Sequence, residues 1–170
     1  MVERIVASPR NVAGLILAVS AGVLAAALLS QYVGGLVPCV LCYYQRLPYA
    51  MTIVLAGLTL GFAGAMGPRE AAGTVALCGL VFLAGAGVAG FHVGVEQHWW
   101  QGTEGCGTTI DPNLSLQALK AALLAQPVVR CDEVPWSLFG MSMAGFNFLA
   151  SLAFAGTSLW AARRIAGGAP

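Results

Sequence analysis

Charged residues divide this chain into long apolar stretches. No charge falls between Arg10 and Arg46, between Arg46 and Arg69, between Glu70 and Glu96, or between Glu133 and Arg163. Each gap holds one run of about 20 predominantly apolar residues, the length a helix needs to cross bilayer hydrocarbon. The pattern predicts spans at 12–31, 47–66, 72–94 and 140–161, helical because lipid offers the backbone no other hydrogen-bond partner. The implied fold class is all-α. It is a single domain over 1–170, an integral membrane four-helix bundle with outer loops near 32–46 and 95–139. Gly57 and Gly61, and likewise Gly90 and Gly94, stand four apart, a spacing that lets helix backbones approach closely.

The longer outer loop has a pattern of its own. Asp111 followed by Pro112 suits a helix start. Leu116, Leu119 and Leu123 recur at helical spacing, with Ser115, Gln117 and Lys120 between them, and Pro127 ends the run. A short amphipathic helix is expected here, either flat on the membrane or over the top of the bundle. The segments around it, 102–109 and 128–135, read as mobile.

Composition agrees with a lipid solvent. The chain is 58% hydrophobic and 9% charged, with mean hydropathy +0.80, whereas soluble domains are about 25% charged. The net charge of +1 includes no basic cluster able to follow a nucleic-acid backbone. Arg4, Arg10, Arg69, Arg163 and Arg164 flank one side of the spans, and Arg46, Lys120 and Arg130 the other. The positive-inside bias puts both termini in the cytoplasm. Ala25-Ala26-Ala27 formally fits a signal-peptidase site, but the apolar run continues through Leu28 and Leu29, which favours an uncleaved span.

This topology puts four of the five cysteines outside, as two local pairs. Cys39 and Cys42 form a C-x-x-C at the outer mouth of the second span, and Cys106 and Cys131 lie in the long loop. Cys78 falls mid-membrane in the third span and reads as a small inert hydrophobe. Arg46, four residues after Cys42, shares its helix face if the span begins there. It can favour a thiolate, stabilise an anionic oxygen, or anchor the helix end in the headgroups. Three readings of the pairs remain open from residue chemistry: a redox relay, two structural disulfides, or a zinc site using both pairs. A c-type haem is excluded, because Tyr43 follows Cys42 where histidine is needed. The second pair lacks metal-knuckle spacing and exposed outer-face thiols tend to oxidise, which weighs against zinc, and no metal ligands are assigned.

Pro38-Cys39-Val-Leu-Cys42-Tyr-Tyr-Gln-Arg46 resembles the first periplasmic motif of the DsbB family of bacterial disulfide-bond formation proteins. The stretch from Cys131 through Trp136 to Asn147 is similar to that family's passage into its last helix, and Gly94 to Trp100 to its exit from the third. The likeness runs from about residue 10 to 162. It implies an inner-membrane, quinone-dependent enzyme that reoxidises DsbA, a soluble periplasmic thioredoxin-fold protein. Cys106 and Cys131 would be the shuttle pair, with the partner attacking at Cys106. Cys39 and Cys42 would be the pair coupled to ubiquinone or menaquinone, with Cys42, near Arg46, facing the quinone. The family often has a quinone-contacting histidine near the outer end of the third span. Here Gln97 follows Glu96, so His98 and His92 are the candidates, with Glu96 bonding His or Arg46 or marking the water boundary. Trp99, Trp100 and Trp136 are read first as interfacial anchors.

Overall fold

The computed structural model describes residues 8–103, 106, 115–117, 120 and 129–168. Among these, four long helices follow in chain order: α1 (Pro9–Tyr32), α2 (Val40–Gly61), α3 (Pro68–Glu96) and α4 (Met143–Ala166). A two-stranded hairpin, β1 (Ser137–Leu138) and β2 (Met141–Ser142), leads into α4. The helix starts carry recognisable signals. Pro9 and Pro68 occupy first-turn positions where no amide hydrogen is needed. The Glu70 carboxylate accepts from the Gly67 N–H at 2.9 Å. The Ser142 hydroxyl accepts from the Gly145 N–H at 3.1 Å to cap α4, whose last turn holds Arg163 and Arg164 against the negative end of the helix dipole.

The hydropathy pattern started the second helix at 47, but α2 starts at Val40 because Cys39 caps it, its side chain accepting from the Cys42 N–H. The polar residues Gln45 and Arg46 hid this first turn and a half from the pattern, and inside the helix both find partners. α4 starts at Met143 rather than 140 because the preceding residues form the hairpin. Phe139 and Gly140 both take positive φ, 51° and 77°, as a tight two-residue hairpin turn of right twist requires. Most of the expected amphipathic loop helix, including Asp111, Pro112, Leu119, Leu123 and Pro127, lies outside the described residues.

α3 and α4 share the most extensive contact, while α2 packs between α1 and α3. Small residues make the contacts close, but not all at the expected positions. A Cβ on Gly79 would come 2.8 Å from the Leu159 side chain, and one on Gly90 would come 3.1 Å from the Phe148 ring. Gly61 faces open space, and Gly57 has only Leu17 at 4.0 Å. The Gly57/Gly61 spacing is therefore not a packing motif here. The aromatic centre of the bundle is Phe82, with Tyr49 and Phe154 ring centroids 5.8 and 5.5 Å away. Cys78 is buried in the same core. α1 and α3 are long and apolar enough to cross a membrane.

Candidate active site

Cys39 precedes the first residue of α2, and its sulfur receives the Cys42 N–H at 3.3 Å. The N-terminal end of a helix carries partial positive charge, which favours a thiolate. The Cys39 and Cys42 sulfurs lie 2.9 Å apart and are unbonded. Cys39 is buried, and Cys42 is the more exposed of the two. The Cys42 thiol lowers the pKa of Cys39 by hydrogen bonding; burial opposes this, and a hydrogen bond from His92 reinforces it.

Cys106 and Cys131 are joined in a disulfide, with Cα atoms 5.0 Å apart. Cys131 is wholly buried and Cys106 nearly so, and both pack in one cluster with Cys39, Leu41 and Val95, against which Cys42 and Phe91 lie. Gly102 permits this seat: a Cβ there would come 2.5 Å from the Cys106 Cβ.

His92, buried on the last turns of α3, joins the two pairs. Its Nε2 is 3.7 Å from the Cys39 sulfur and 3.2 Å from the Cys131 carbonyl. Its Nδ1 is 2.6 Å from Gln45 Nε2. Asn147 Nδ2 donates to Gln45 Oε1 at 2.6 Å, and Tyr49 donates to Asn147 Oδ1. With the Gln45 amide oriented by Asn147, its NH2 faces His92, so Nδ1 is the acceptor and Nε2 carries the proton. That proton faces the sulfur and carbonyl of the two cysteine pairs.

The profile for "Disulfide bond formation protein DsbB" matches residues 9–161. This chain belongs to the DsbB family. A disulfide bond formation protein B of Marinobacter nauticus is 34% identical over 147 residues, covering 81% of this chain and 82% of the relative. One from Azoarcus sp. is 33% identical over 164 residues, covering 91% and 95%. One from Stutzerimonas stutzeri is 31% identical over 165 residues, covering 91% and 94%. No solved structure matches. DsbB proteins are membrane proteins of disulfide formation, and the cysteine cluster is the chemistry expected of that class.

In this DsbB chain the cluster opens on a cavity of about 810 Å³. Cys39, Cys42, Arg46, His92 and Glu96 line it, among mostly apolar neighbours that include Val23, Leu24 and Phe146. Arg46 Nη1 donates to Gln31 Oε1 at 2.7 Å, and Nη2 donates to the Ala27 carbonyl at 3.4 Å, near the C-terminal end of α1. The guanidinium also lies 5.2 Å from the centroid of the Tyr43 ring. Arg46 thus ties α2 to the negative end of α1 while lining the cavity. Glu96 is buried, with Oε1 3.9 Å from His92 Nε2, and Oε2 accepts from the Ser142 hydroxyl.

His98 stands apart from this group. It takes a positive φ of 58°, is exposed, and points Nε2 toward Asp132 at 3.9 Å. Asp132 is itself held below the usual carboxylate range by hydrogen bonds from Arg130. Of the two candidate histidines, the structure brings only His92 to the cysteines. The helix exit turns back so that Trp100 Nε1 donates to the Phe91 carbonyl at 2.9 Å, its ring stacking on Phe91. Trp136 lines the cavity, whereas Trp99 packs edge-on to Trp100. Sequence reasoning gave no role to Gln45, Asn147, Ser142 or Gly102. Ser142 and Asn147 carried the available signal, an uncharged polar residue inside a predicted apolar span, which tends to face the protein interior; Gln45 and Gly102, in the predicted outer loops, carried none.

Proposed function

We propose that this protein oxidises the dithiol of a DsbA-like periplasmic thioredoxin-fold protein and passes the electrons through Cys106–Cys131 and then Cys39–Cys42 to a membrane quinone. The observation that carries this reading is the single buried cluster holding both cysteine pairs at the edge of an apolar cavity. The outward Leu80, Leu83, Val54 and Leu58 side chains, each about half exposed, suit a four-helix bundle in lipid better than one in water.

The chemistry proceeds by exchange through mixed disulfides. A partner thiolate attacks Cys106, the less buried residue of its pair, and Cys131 leaves as thiolate. With Cys39–Cys42 oxidised, Cys131 attacks Cys39, its neighbour in the cluster, and Cys42 leaves as thiolate toward the cavity. The partner's second thiol then displaces Cys106 and the partner departs oxidised. Cys106 attacks Cys131, restoring the outer disulfide and releasing Cys39. The inner pair has gained the two electrons, and it re-forms when they pass on. The His92 Nε2 proton faces the sulfur that is freed last, and supports its negative charge.

The cavity fits a quinone: it is largely apolar, is large enough for a flat ring with the start of an isoprenoid tail, and offers the Arg46 guanidinium to a carbonyl oxygen. Ubiquinone and menaquinone share that chemistry, and either would accept two electrons and two protons there. The test is quinone absorbance in purified, detergent-held protein after addition of a reduced thioredoxin-fold dithiol. Bleaching that disappears in both Cys39→Ala and Cys106→Ala supports the relay. Bleaching that survives in Cys106→Ala removes the outer pair from the path.

A further inference from the structure

We infer that the reduced Cys39–Cys42 pair, together with His92, is a redox-gated binding site for a thiophilic divalent cation of the zinc type. This inference goes beyond quinone reduction and does not depend on it. Cys39 Sγ, Cys42 Sγ and a His92 ring nitrogen all lie within 4.8 Å of one another. Two thiolates and an imidazole are the donor set of three-ligand zinc sites that keep a fourth position open. Zinc–sulfur and zinc–nitrogen bonds of about 2.3 and 2.05 Å place tetrahedral donors roughly 3.6–3.8 Å apart. The Cys39–His92 separation, 3.7 Å, already meets that spacing. The two sulfurs at 2.9 Å must open by about 0.8 Å to reach the same tetrahedral spacing, which a turn of the more exposed Cys42 side chain provides. The fourth position faces the cavity, where a water can complete the shell.

The outer pair takes no part. Cys106 and Cys131 are used up in their own disulfide, so a site built from both pairs is absent while that bond stands. The inner site exists only when Cys39 and Cys42 are thiols, because a disulfide has no thiolate to offer. On binding, the thiol protons go to solvent and no electron moves. Both sulfurs are then held by the metal and the disulfide cannot close. The cation therefore holds the inner pair in its reduced form.

The proton on His92 sets a further requirement. Nε2 must give its lone pair to the metal, so the proton moves to Nδ1, which now donates to Gln45. The Gln45 and Asn147 amides rotate to follow, exchanging donor and acceptor along the chain from His92 to Tyr49. A carboxylate at position 45 would accept that proton without rotation, as the carboxylate behind many zinc-bound histidines does.

The test uses cobalt(II) as a probe on the full chain in detergent, both fully reduced and as the Cys106→Ser/Cys131→Ser variant, in which the only other thiol is the buried Cys78. The expected result is one cobalt per chain with thiolate-to-cobalt charge transfer and tetrahedral bands, displaced by zinc and abolished when Cys39–Cys42 is oxidised. His92→Ala should weaken binding by at least about tenfold, and Gln45→Glu should tighten it, a gain that misfolding does not produce. Absence of the tetrahedral spectrum, or equal affinity in His92→Ala and the parent, would overturn the site. Neither result bears on quinone bleaching measured without metal.

Discussion

Cys39 owes its chemistry to three neighbours: the amide end of α2, the Cys42 thiol and His92. Its lowered pKa has a definite sign in pH. Between the lowered value and the ordinary thiol pKa of about 8.5, Cys39 stays ionised while an ordinary thiol loses its reactive form. Taking the pH from 8 to 6 should slow iodoacetamide alkylation of Cys39 by less than about threefold, against roughly a hundredfold for an unperturbed thiol. The same ionisation contributes stability above the ordinary thiol pKa, and that contribution is lost as pH falls through the lowered value. His92→Phe should shift the alkylation profile, read by mass spectrometry at Cys39, toward that of a free thiol. An identical profile in the variant would leave the helix end and Cys42 as the whole cause. Cys39, Cys42, Cys106, Cys131 and Arg46 stand out in the sequence because spacing and charge mark them. Gln45 and Asn147 were not, since their hydrogen bond joins positions 102 residues apart and no local pattern encodes such a partner. Gln45→Leu leaves the His92 ring and the Asn147 amide unsatisfied. It should cost about 1–3 kcal/mol in unfolding measured in detergent, and a negligible loss would show that water replaces the amide.

Among the elements, α3 and α4 share the most extensive contact, and glycines set their separation. Gly79→Leu places a side chain where even a Cβ meets Leu159, and should destabilise by about 1–3 kcal/mol through overpacking. Gly61→Leu enters open space and should be neutral or slightly stabilising, since glycine is a poor helix former. Thermal unfolding of the two variants in the same detergent compares them, and equal losses would contradict the packing described. Helix existence was legible because uncharged runs of this length have few alternatives. The start of α2 was not, because hydropathy counts Gln45 and Arg46 as interfacial, whereas Asn147, Gln31 and the Ala27 carbonyl make them acceptable inside a helix. The hairpin before α4 was equally hidden, because it depends on a phenylalanine, Phe139, at positive φ, which composition disfavours.

At the scale of the whole molecule, function depends on which side of the membrane receives the cysteine cluster. α1 and α3 qualify as spans by length and hydropathy, and from the arginine distribution we propose that residues 8 and 168 lie on the cytoplasmic side. The cluster lies at the other end of the helices, at the start of α2 and the finish of α3. Single cysteines placed at Ser8 or Gly168 of a cysteine-free chain should therefore react with a membrane-impermeant maleimide only after the cell membrane is opened. A chain retaining only Cys42 should react in spheroplasts with the membrane intact, since its sulfur faces the cavity. Labelling of Gly168→Cys from outside would mean the opposite orientation. The pairs would then meet the reducing cytoplasm, where exchange runs toward thiols. A periplasmic dithiol partner would be out of reach even if quinone still bound.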